Sequence, residues 1–176
     1  MSELARLYHQ LQAKKFKVAH VPVDPGRARW IEHLLYIAGQ DDAGNNIMLT
    51  MSYLEDIELS ESSSLEQGES NQWGSTLLFK AALCSQVYLE QLADLNHLCA
   101  IINRSCPIGS FAASRGEGLY FQYRLIGPNK SCSFSLVAYV LEHISVIVEQ
   151  FRPVFQSYLS KEQSLTDLFS DLGVLK

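Results

Sequence analysis

The chain has 176 residues, 47% hydrophobic and 19% charged, with 14 Lys and Arg against 19 Asp and Glu. That apolar content suits a globular domain with one core and excludes a disordered chain, whose apolar surface is too small to offset the entropy of ordering. The net charge of -5 disfavours nonspecific attraction to nucleic acid or an anionic membrane over the surface as a whole.

The amino terminus lacks the basic region, apolar stretch and small-residue cleavage site of a secretory signal. The expectation is a soluble, cytoplasmic protein. Ser2 suits a helix N-cap, Glu3 suits its positive end, and Leu4, Leu7, Tyr8 and Leu11 recur at helical spacing, which predicts a helix to about Lys14. Lys14, Lys15 and Lys17, beside Phe16, read as a solvated helix end. Residues 16–21 alternate weakly before Pro22 and read as an edge strand or an extended arm.

Residues 30–38 and 46–54 form two strands around the turn-forming run 40–45, with Ile47, Leu49, Met51 and Tyr53 on one face and a mixed opposite face. Residues 55–74 concentrate Glu and Ser with little apolar surface, which predicts a long acidic loop, with a docking or regulatory segment as the alternative. A third strand spans 75–85. Ser85 then reads as the cap of a helix over 88–103, closed by Pro107 and Gly109. A second hairpin joins 111–114 to 119–126.

The last third carries a helical pattern over 134–151. Its broad stripe, Val137, Val140, Leu141, Ile144, Ile147 and Phe151, is too apolar to face water, so these six residues are the candidate partner-binding surface. Glu142, His143, Ser145, Glu149 and Gln150 interrupt the run, which argues against a membrane span. Pro153 is expected to end or kink the helix, leaving 153–176 as a helical extension in which Ser164 and Asp167 resemble a capping box. The whole of 1–176 reads as a single α+β domain: an antiparallel sheet of about five strands with helices packed on it, in the order α-β-β-β-α-β-β-α.

No motif assigns chemistry. His9, His20, His33, His97 and His143 lack the spacing that turns two imidazoles toward one metal, and Cys84, Cys99, Cys106 and Cys132 contain no CxxC pair, so they read as small core residues. Residues 116–118 and 127–131 lack a phosphate-loop pattern, and Ser110, Ser114 and Ser131 lack a nucleophile elbow. Tyr120, Phe121 and Tyr123 resemble a base-stacking strand, but alternation sends Phe121 and Tyr123 toward the core with Leu119 and Leu125, and no basic surround accompanies them. No cofactor, metal or catalytic residue is therefore expected. Arg124, Glu117, His97 and Tyr123 are the polar residues that an enzyme reading would gather near the second hairpin, and a lipid or small-ligand sensor would need a cavity between helix and sheet.

The passage Leu95-Asn96-His97 through Ile102-Asn103, then Gly109-Ser110-Phe111 and Leu119-Tyr120-Phe121-Gln122-Tyr123-Arg124, is similar to the helix-then-hairpin passage of the YbjN-like branch of the type III secretion chaperone-like fold. The resemblance runs over roughly residues 2–158. It implies a small, commonly homodimeric protein that binds other polypeptides, chaperone-like or regulatory, without catalytic residues. The segment 55–74 and the tail after Pro153 depart from that pattern.

Overall fold

The computed structural model describes residues 1–24, 31–40, 44–61 and 74–173. Six strands form one antiparallel sheet in the order β1-β2-β3-β4-β6-β5, with β1 Val18–Val21, β2 His33–Gln40, β3 Asn46–Tyr53, β4 Ser75–Cys84, β5 Ser110–Ser114 and β6 Gly118–Gly127. The helices are α1 Glu3–Ala13, α2 Leu54–Glu61, α3 Leu89–Ile102, α4 Phe134–Leu159 and α5 Leu165–Asp171. The α+β class holds, and the weakly alternating run before Pro22 supplies the sixth strand, at an edge.

Local chemistry places the ends of these elements. Ser2 Oγ accepts the Ala5 amide at 3.0 Å and opens α1, which turns Leu4, Leu7 and Leu11 inward. At α5, Ser164 and Asp167 cap each other's backbone amides reciprocally, so Asp fills the place Glu usually takes. Two glycines are dictated by contact. Gly118 has φ +72°, and a Cβ there would lie 1.9 Å from the Cys84 carbonyl oxygen; Gly109 has φ +65° and would strike the Phe121 ring at 2.3 Å.

Period-two alternation sends one side chain in two to each face of the sheet. Leu34, Leu49, Leu77, Phe79, Phe121 and Leu119 are fully buried on the face that α1, α3, α4 and α5 cover. Phe111 joins the layers there, its ring centroid 5.0 Å from Phe121 on β6 and 4.9 Å from Phe155 on α4. Tyr158 of α4 donates its hydroxyl to Asp94 of α3 at 3.0 Å, and Phe169 of α5 meets the His97 ring of α3 at 4.9 Å. The helices predicted over 88–103 and 134–151 thus seal the same side of the sheet.

Four expectations are corrected. The acidic segment 55–74 begins as helix, because α2 occupies Leu54–Glu61, where Glu55 Oε1 accepts the Thr76 amide at 2.7 Å and Asp56 accepts Lys130 Nζ at 2.5 Å. Residues 62–73 lie outside the described residues. Ser85 does not cap the following helix; Tyr88 precedes its first turn and makes no side-chain cap bond. Pro153 does not end α4, since the helix continues to Leu159 with Pro153 inside it. Burial of Val148, Phe151 and Phe155 on both sides of the proline holds the chain helical, although the ring removes one intrahelical donor.

The fourth correction concerns the stripe. Val137, Leu141 and Ile144 are 0% exposed, Val140 2%, Ile147 4% and Phe151 7%, so the candidate partner surface is spent on the chain's own core. Each fully buried side chain of this size contributes roughly 1.5–3 kcal/mol to folding. By length and composition alone α4 is long and apolar enough to cross a membrane, despite its polar interruptions. In this fold one side of it is buried against the sheet.

Candidate functional site

With the inner stripe of α4 occupied, the face of the sheet opposite α4 carries, among the described residues, an organised surface of mixed chemistry. The register aligns its side chains into rows across the strands. Ile37 pairs with Met48, and Ala82 and Ala112 both pair with Tyr120, while the register that sets Leu49 opposite Ala81 carries on to bring Met48 beside Ala82. The result is an apolar belt, Ile37-Met48-Ala82-Tyr120-Ala112, across five strands. At about 4.8 Å per strand spacing it is about 19 Å long. Met48 and Ala82 are exposed, and the other three are half-buried.

The next row is polar at its centre. Leu35 pairs with Thr50, Thr50 with Lys80, Lys80 with Gln122 and Gln122 with Ser110. Lys80 forms an ion pair with Glu117 in the β5–β6 turn and lies 4.4 Å over the Tyr120 ring. Its hydrogen bond holds the Glu117 carboxyl below the usual carboxylate range, while burial, followed by the Glu117 charge, raises the Tyr120 phenol. One row further, Leu78 pairs with Arg124, whose side chain is exposed. An apolar strip bordered by the row of Lys80, with Arg124 one row beyond, can accept an apolar segment that carries acidic residues along one side.

The two sheet edges differ. At β5, Asn103 Nδ2 donates to the Phe111 carbonyl at 2.9 Å, and the Phe111 amide donates to Asn103 Oδ1 at 2.7 Å. The Ala113 amide donates to Asn96 Oδ1 at 3.3 Å. Two side-chain amides, from Asn96 on α3 and Asn103 just past its end, thereby stand in for a missing strand and block that edge. At the opposite edge, β1 pairs with β2 alone, from Val18 with Tyr36 to Val21 with His33.

The four polar residues of the enzyme reading are not brought together. Tyr123 faces the helices, with its ring 6.0 Å from Phe79, whereas Arg124 faces the open side; Glu117 sits in the turn with Lys80, and His97 is exposed beside Phe169 of α5. A hollow of about 260 Å³, lined in part by Ile47, Leu119, Phe155 and Leu159, sits where the end of α4 meets the sheet. Among the described residues no group of three His, Cys, Asp or Glu side chains is placed to hold a metal ion.

The four cysteines are free thiols. Burial raises the Cys99 thiol to about 12 and raises those of Cys106 and Cys132 as well, which keeps them protonated and unreactive near neutrality. Tyr53 is buried with its hydroxyl donated to the Lys130 carbonyl, and burial raises its phenol too.

Sequence reasoning missed the belt. Each strand's outward residues were legible as a mixed face, but only the pairing register sets Met48, Ala82 and Tyr120 in one line. No protein-family model matches the chain, and no curated protein matches it significantly.

Proposed function

We propose that this chain is a non-enzymatic polypeptide-binding domain, chaperone-like or regulatory, which holds a segment of its partner on the open face of the sheet. The observation that carries this reading is the apolar belt from Ile37 to Ala112. A solvated sheet face normally alternates toward polar residues, so a continuous apolar row across five strands is a surface with an energetic incentive to be covered. A belt about 19 Å long matches about 13 residues of helix at 1.5 Å per residue. The occupant is therefore an amphipathic helix whose apolar anchors at i, i+3, i+4 and i+7 meet Met48, Ala82 and Tyr120, and whose acidic side meets Lys80 and Arg124. The resemblance to secretion-chaperone-like proteins agrees with a role in binding polypeptides rather than in turnover.

The test begins with affinity capture from native lysate and mass spectrometry, followed by titration of the purified partner against the wild-type chain and the variants Met48→Asp and Ala82→Asp. Both substitutions lie on exposed positions, so melting temperatures should stay within a few degrees of wild type. Affinity should fall by about tenfold or more, because a buried unpaired carboxylate would oppose the contact. Chemical-shift changes in the isotope-labelled protein should centre on Ile37, Met48 and Tyr120. Unchanged affinity in both variants, with shifts confined to the helices, would refute the assignment.

A further inference from the structure

We infer that the hollow where the end of α4 meets the sheet is a binding site for a small amphiphilic carboxylate, an acid group carried on a short apolar chain. Its volume is about 260 Å³. The floor belongs to the core: Leu119 of β6 and Phe155 of α4 are fully buried, Ile47 of β3 is buried, and the half-buried Leu83 and Leu159 complete the apolar lining. Phe155 is held by Phe111, its ring centroid 4.9 Å away, so that side chain is committed to the core and does not fill the space.

The strands explain why the space is there. On β4 the pairing with β6 runs to Ala82 opposite Tyr120 and then passes to Cys84 opposite Leu119. Leu83 is the extra residue of a bulge, which bends the strand end and interrupts the alternation that packs every second side chain inward. Gly118, with φ +72°, lets the start of β6 pass the Cys84 carbonyl oxygen, where a Cβ would lie 1.9 Å away. Protein interiors leave few voids larger than a water molecule. A hollow produced by a bulge and bounded by buried walls is a shaped feature of the fold.

Polar chemistry enters from α4 and the start of β3. Arg152 and Gln156 stand one turn apart on the helix, and Arg152 Nη1 donates to Gln156 Oε1 at 2.8 Å, which steadies the guanidinium. Arg152 and Asn46 also line an adjoining hollow with Lys17 and Glu149, so they stand where the two spaces meet. The charged side chains there are Arg152 and Lys17 against Glu149, a local positive excess in a chain of net charge -5. A guanidinium is planar and matches a carboxylate fork. A neutral apolar molecule would make no use of Arg152, and a wholly polar anion would gain nothing from Ile47 and Phe155. The chemistry that uses both is a carboxylate with a carbon chain, as in a free short-chain fatty acid or the C-terminal leucine of a polypeptide.

Nuclear magnetic resonance titration of the full isotope-labelled chain tests this. Hexanoate should give saturating shifts at Ile47, Leu119 and Leu159, and hexanamide, which keeps the chain and loses the charge, should bind about tenfold or more weakly. From butanoate to hexanoate, affinity should rise about fourfold per added methylene. N-acetyl-leucine binding more tightly than hexanoate would assign the site to polypeptide C-termini, and the reverse order to free acids. Arg152→Gln should abolish the preference for hexanoate over hexanamide. Cys84 also lines the hollow, so its alkylation by iodoacetamide in the wild-type chain should slow as hexanoate saturates, a readout that needs no variant to fold. Shifts that never saturate, equal affinity of the wild type for hexanoate and hexanamide, or Cys84 alkylation indifferent to hexanoate would overturn the proposal. Ala82 is the belt residue that also lines this hollow, and Met48→Asp should leave hexanoate binding unchanged, so this site and the sheet-face reading can fail separately.

Discussion

The two faces of the sheet are built from the same strands and end in opposite states. On β3, β4 and β6 the inward residues Leu49, Phe79 and Phe121 are fully buried beneath helices, while their neighbours Met48, Lys80 and Tyr120 look outward. The covered face is mostly apolar, as a core demands, with Ser75 and His20 as polar members near its margins. The open face separates its chemistry by row: Thr50, Lys80 and Gln122 sit together in one, and Met48, Ala82 and Tyr120 together in the next. Solubility needs only that polar groups be present somewhere on the face. Concentrating the apolar ones in a single line is what a contact surface requires, and it separates this face from one that merely tolerates scattered apolar residues.

That contrast can be tested by injuring each side. The greatest loss is expected on the covered face, where Phe121→Ala removes a ring packed on Phe111 and should destabilise the fold by about 3–5 kcal/mol in denaturant unfolding. A loss below about 1 kcal/mol would mean that the layer is looser than its burial implies. At the sheet's border, Asn103→Ala deprives the Phe111 amide and carbonyl of their partner and should cost about 1–3 kcal/mol, more than an exposed-face substitution. It should also speed amide exchange at Phe111, whereas Asn96→Ala should act at Ala113.

The smallest expected effect is alkaline. The Cys99 thiol sits at about 12 in the fold against 9.0 when free, so the folded state favours its protonated form. The stabilisation is complete below pH 9 and is lost as pH rises from there through about 12. Thermal melts from pH 8 to 11 should show a decline that Cys99→Ala makes shallower, and thiol labelling of the native chain should reach Cys84 well before Cys99. Equal labelling rates would place Cys99 outside the dry layer.

Much of this architecture was readable from spacing. Leu4, Leu7 and Leu11 announced α1, the stripe from Val137 to Phe151 announced α4, and Ile47, Leu49, Met51 and Tyr53 announced the inward face of β3. What escaped had physical causes. Leu54 and Ile57 give α2 too few apolar contacts to register against its glutamates, and Ser85 has cap chemistry but the chain stays non-helical until Leu89. Pro153 looked decisive because its local cost is large, yet burial on both sides outweighed it. An apolar helical stripe states only that something must cover it; whether its own sheet or another chain does so is settled by tertiary packing, which here hid all six candidate residues. The belt was invisible for a related reason, since it belongs to five strands at once and to none alone.

The asparagines on α3 and just past its end have a consequence for what this molecule avoids. A sheet with two bare margins can add copies at both and grow without limit. With Asn96 and Asn103 plugging the β5 margin, the other margin that the described residues offer to strand addition is β1. Two molecules joined margin to margin at β1 would each present the plugged β5 margin at the far side, so strand addition would halt at a pair.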